Sequence, residues 1–62
     1  MKLITLTLKG NGDKVYANPA RINFIYQMDD GCVVGFDGLG NYIKVLESAE
    51  SVAKMVEGEQ NG

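Results

Sequence analysis

The stretch from Ile22 to Val45 constrains this chain most, because two turn signals cut it into three runs rich in β-branched and aromatic residues. Runs of that kind separated by short Asp/Gly turns read as consecutive hairpins. If the first loop is Asp29-Asp30-Gly31, with the glycine in the left-handed conformation, the cross-strand pairs are Met28/Cys32, Tyr26/Val34 and Phe24/Phe36. Every one of them is apolar. A two-residue loop at Asp30-Gly31 would instead mix polar and apolar residues on both faces. Because a slip of one residue exchanges the faces of a whole strand, the apolar pairing selects the three-residue loop. The second turn, Asp37-Gly38-Leu39-Gly40, obeys the same test as a four-residue loop and adds the pairs Val34/Ile43 and Cys32/Val45.

These pairs assign a face to each residue. Phe24, Tyr26, Met28, Cys32, Val34, Phe36, Ile43 and Val45 form an apolar face, and Ile25, Gln27, Val33, Gly35, Tyr42 and Lys44 a mixed one. Gly35 leaves a gap on the mixed face between Ile25 and Tyr42, which the Tyr42 ring is placed to cover. Ile25, Val33 and Tyr42 gather around that glycine as a candidate interface, since clustered apolar residues outside a core mark contacts.

The rest of the chain is read by period. Residues 2–8 alternate, with Ile4, Leu6 and Leu8 on one side and Thr5 and Thr7 on the other, as a half-buried strand does. Gly10-Asn11-Gly12-Asp13 is a turn leading into a short strand at Lys14–Ala17, and Asn18-Pro19-Ala20-Arg21 is a corner or single helical turn. After Val45 the period becomes helical, with Ala49, Val52, Ala53 and Val56 on one stripe. Ser48 is the expected N-cap, Gly58 the expected C′ residue, and 58–62 a disordered tail. The expected domain, 1–57, is α+β: a small antiparallel β-sheet or partly open barrel of about five strands with one C-terminal α-helix, about 49–57, packed on it.

Composition narrows the chemistry. A chain of 62 residues buries only about 60% of its unfolded surface, so such domains look for outside support. With a single cysteine and no histidine, an internal disulfide and the usual zinc ligand sets are excluded, which points to a homo-oligomer, a dimer in the simplest case. The same composition removes the usual acid–base and nucleophilic machinery, and Cys32 reads as a small core residue. Asp29, Asp30 and Asp37 are accounted for by turn chemistry rather than by a metal, and Gly35–Gly40 precedes a strand, not the helix that a phosphate loop requires. No cofactor is expected. The net charge is −2 and the six basic residues are dispersed, which argues against nucleic acid. No apolar run reaches membrane-spanning length and the first residues alternate too soon for a signal peptide, so a cytoplasmic location without membrane insertion is expected.

Leu6-Thr7-Leu8, Asn18 with Ile22 and Ile25, and Tyr42-Ile43-Lys44-Val45 running into Glu47-Ser48 and Val52 resemble the FlbD/SwrD family of small flagellar-operon proteins over about residues 3–57. The resemblance implies a non-enzymatic cytosolic accessory protein supporting motility, with no catalytic or cofactor residues to carry over and an unidentified protein as partner. An acidic domain of this size also suits a phage or mobile-element accessory protein that binds a host protein. A CsrA-like RNA-binding dimer has a comparable element order, but its motifs are absent and the charge opposes it.

Overall fold

The computed structural model describes the chain over residues 2–37 and 40–61, with side chains to residue 58. Among the described residues five strands and one helix follow in order: β1 (Ile4–Thr7), β2 (Lys14–Ala17), a 3-10 turn (Pro19–Arg21), β3 (Ile22–Met28), β4 (Gly31–Phe36), β5 (Tyr42–Val45) and α1 (Ala49–Asn61). The fold is α+β, but the strands make two antiparallel sheets, β1-β2 and β3-β4-β5, and no single closed barrel. One bridge, Leu8 to Val45, joins the sheets. Two backbone bonds flank it, Lys9 N–H to Lys44 C=O (3.0 Å) and Leu46 N–H to Thr7 C=O (2.9 Å).

Alternation in β1 buries Ile4 and Leu6, and these meet Ala17, Cys32, Val34, Val45 and Val52 in the core. Leu6, Val34, Val45 and Val52 lose all solvent exposure, and fully burying such a side chain stabilises by about 1.5–3 kcal/mol. Helix α1 lays its stripe across β1, β3, β4 and the 3-10 turn. Local signals form the corners. Asn18 Oδ1 accepts the Ala20 N–H at 3.0 Å ahead of Pro19, and Ser48 Oγ accepts the Ser51 N–H at 3.1 Å as the helix N-cap.

The β4–β5 register is the expected one, with Cys32 opposite Val45 and Val34 opposite Ile43. Phe36 N–H donates to Asn41 C=O at 2.7 Å to close the intervening loop, whose central residues Gly38 and Leu39 lie outside the described residues.

The β3–β4 register is not the expected one. Met28 pairs with Gly31, Gln27 with Cys32, Tyr26 with Val33, Ile25 with Val34 and Phe24 with Gly35. Asp29-Asp30 alone forms the loop, and Phe24 and Phe36 are not neighbours; Phe36 pairs with Ile22. This one-residue difference turns β3 over while leaving β4 and β5 as expected. Ile25 and Gln27 face the core side, and Phe24, Tyr26 and Met28 face away from it.

Three packing facts explain the outcome. Gly31, at φ +143°, lies so close to β5 that a Cβ would overlap the Val45 carbonyl oxygen, so this glycine serves the sheet as well as the turn. The Phe24 ring, not Tyr42, covers Gly35, occupying the space a Cβ would take, as aromatic side chains do over sheet glycines. Gln27, a polar residue on the inward face, uses its whole amide there: Nε2 donates to the Met28 and Gly31 carbonyls (2.5 and 2.8 Å) and Oε1 accepts the Ala49 N–H (2.8 Å).

A bulge completes β3. The register shifts between Ile22 and Phe24, and Asn23 Nδ2 donates to the Phe36 carbonyl at 3.0 Å. Ile22 and Ile25 both pack on the core although they are an odd number of residues apart, which strict alternation forbids and one inserted residue permits. The helix also departs from expectation, passing through Gly58 to Asn61. Gly58 has no positive φ, and a glycine inside a helix costs only about 1 kcal/mol when good helix formers such as Glu57 and Glu59 flank it.

Candidate interaction face

The side of the β3-β4-β5 sheet turned away from α1 gathers three of the chain's five aromatic side chains. Phe24, Tyr26 and Met28 come from β3, Val33 from β4 and Tyr42 from β5. Phe24 is 52% exposed, Tyr26 63% and Tyr42 55%. The ladder sets their arrangement: Gly35 lies between Phe24 and Tyr42 in one row, and Val33 lies between Tyr26 and Lys44 in the next. Lys44 is the one charged side chain that the ladder places on this face among the described residues.

Of the three expected interface residues, Val33 and Tyr42 are on this face. Ile25 is not; it is half-buried on the opposite side, packed against the core. Apolar pairing alone places Phe24, Tyr26 and Met28 inside, whereas the structure places them outside, because pairing across strands does not decide which face is covered. The spacing Ile22 to Ile25 across Asn23-Phe24 was the available signal, since two β-branched residues three apart can both face inward only if a bulge lies between them.

The carboxylates and the cysteine lie off this face, and several of them tie elements together. Glu47, just before α1, accepts from the Thr7 N–H and hydroxyl, both at 2.9 Å, and Lys14 Nζ reaches the same hydroxyl at 3.1 Å. Burial acts to raise the Glu47 carboxyl, but the two Thr7 hydrogen bonds, a bond from its own backbone and the nearby Lys14 charge together hold the group below its ordinary value. The Lys9 ammonium bonds Asp30 at 2.6 Å and, through that bond and its charge, holds the carboxyl of the β3–β4 loop low. Burial pushes the Cys32 thiol up and the Glu47 charge adds to the effect, so Cys32 stays protonated at neutral pH.

Among the described residues no group of three or more Cys, Asp or Glu side chains is placed to hold a metal ion. No helix in them is long and apolar enough to cross a membrane. Comparisons with protein-family models, with curated proteins and with solved structures find no match to this chain.

Proposed function

We propose that this chain is a non-enzymatic protein-binding module whose contact surface is the outward face of the β3-β4-β5 sheet. One observation carries the reading: Phe24, Tyr26 and Tyr42 stand exposed on the same side of one sheet while the core is filled by smaller residues behind it. Aromatic side chains and Met concentrate at protein interfaces because they bury much area with few torsions to freeze. The face offers no anionic group and one cation, so it favours an apolar partner surface rimmed by acid, and the dispersed lysines disfavour a nucleic-acid backbone.

A photoreactive phenylalanine analogue at position 42, with a second at position 14 on β2 as control, tests this in cells of the native host. A cross-linked protein species from position 42, absent from position 14 and lost in Phe24→Lys, supports the reading; cross-links equal at both positions overturn it. The FlbD/SwrD resemblance makes motility the first phenotype to measure. A deletion strain that swims as the parent does removes the flagellar role, whatever the face binds.

A further inference from the structure

We propose that two copies of this chain pair through the free edge of β3, antiparallel about a two-fold axis at Tyr26, joining their three-stranded sheets into one. The direction of the backbone groups comes first. Phe36 donates its N–H to Asn41, toward β5, so by alternation Val34 and Cys32 also direct their polar groups to β5. Gly35, Val33 and Gly31 then bond the other way, to Phe24, Tyr26 and Met28. The N–H and C=O of Ile25 and Gln27 are left pointing out of the sheet, and among the described residues no backbone hydrogen bond reaches them.

Edges of this kind are normally blunted by short length, charge, proline or a bulge. The other outer strand, β2, is guarded: it spans only Lys14–Ala17, opens on a lysine and is followed closely by Pro19. The β3 strand, Ile22–Met28, has neither charge nor proline, and its bulge near Asn23 leaves Phe24–Met28 regular.

Charge and register select the occupant. On an acidic chain, β3 is a strand along which a second copy can lie without opposing like charges. With the axis at Tyr26, Ile25 exchanges both backbone bonds with the partner's Gln27, and Gln27 does so with the partner's Ile25. Phe24 then lies beside the partner's Met28, and the two Tyr26 rings are cross-strand neighbours, pairings that favour strand association. Asp29 falls opposite the partner's Asn23, not opposite an acid. Moving the axis to Ile25 would set Gln27 against the bulge and lose that ladder. The pairing also makes the two outward faces continuous, but it stands on the edge and not on what the face binds, so either proposal can fail alone.

Sedimentation equilibrium of the full chain at tens of micromolar, together with amide hydrogen exchange, tests the proposal. The expected result is a dimer in which the Ile25 and Gln27 amides gain protection as concentration rises. Tyr26→Lys should weaken association by about tenfold or more, because like charges then meet at the axis, and Tyr42→Lys should leave it within about twofold. A wild-type monomer overturns the inference. So does a dimer whose Ile25 and Gln27 amides exchange independently of concentration, or one that Tyr42→Lys dissociates, since either would mean face-to-face stacking. If Tyr26→Lys fails to fold, the wild-type exchange data decide alone.

Discussion

The two sides of the β3-β4-β5 sheet are built from different residues, and the smaller ones are inside. The inward side carries Cys32, Val34 and Val45, each at or near zero exposure, with Ile25, Ile43 and a single large ring, Phe36, at its margin. The outward side carries Phe24, Tyr26 and Tyr42, all more than half exposed. Side-chain size would have predicted the reverse. In a sheet of this thickness, β-branched side chains from β1, β4 and β5 fit against the Val52 stripe of α1, whereas a phenylalanine or tyrosine on β3 would hold the helix away. Burial here follows complementarity with the neighbouring layer more than hydrophobicity.

The sharpest way to break this contrast is to truncate on each side. Leu6→Ala, at the floor of the core, should lose about 2–5 kcal/mol in urea unfolding, enough to leave a domain of this size mostly unfolded. Phe24→Ala should lose about 1 kcal/mol or less, since half of that ring is already in water. Equal losses for the two would show that Phe24 is a core residue after all.

Glycines sharpen the same comparison. Gly31→Ala drives a Cβ into the Val45 backbone at a positive φ, so about 1–3 kcal/mol of conformational strain should come on top of the steric overlap. At Gly35→Ala the atoms nearest the new Cβ all belong to the Phe24 ring, a half-exposed side chain that can swing outward where the Val45 backbone cannot, so the cost should stay near the low end of about 1–3 kcal/mol. A melting temperature that falls further for Gly35→Ala than for Gly31→Ala would contradict the close β4–β5 approach.

Gln27 is the polar exception on the inward side. Gln27→Ala leaves the Ala49 N–H and the hairpin carbonyls to water and should cost about 1–2 kcal/mol, with faster exchange of the first-turn amides of α1 as its signature. Gln27→Leu, which keeps the bulk, should show the same exchange change if the hydrogen bonds rather than the packing tie β3 to the helix.

The smallest effect is electrostatic. Glu47 and Asp30 are both held below their ordinary values, so each contributes stability that is fully present above the unfolded carboxylate range near about pH 4. That contribution is lost as pH falls through the lowered folded values. Stability of Glu47→Gln should therefore fall less than that of the wild type between neutral pH and about pH 3 in denaturant titrations. Parallel curves would mean that the Thr7 bonds to Glu47 do not favour the charged form.

Much of the architecture was determined by the sequence alone, because its causes are local. Alternation in Ile4–Thr7, the glycine turn at residues 10–13, the Asn18-Pro19 corner, the β4–β5 register and the Ser48 cap each depend on residues a few positions apart. The facing of β3 was decided only in three dimensions. Within the hairpin, an apolar match of Phe24 with Phe36 competes well; what defeats it lies far along the chain, in the Val45 carbonyl against Gly31 and the Ala49 N–H awaiting Gln27. A strand's period shows that its two faces differ, but which face turns inward depends on the shape and hydrogen-bonding needs of the layer that covers it.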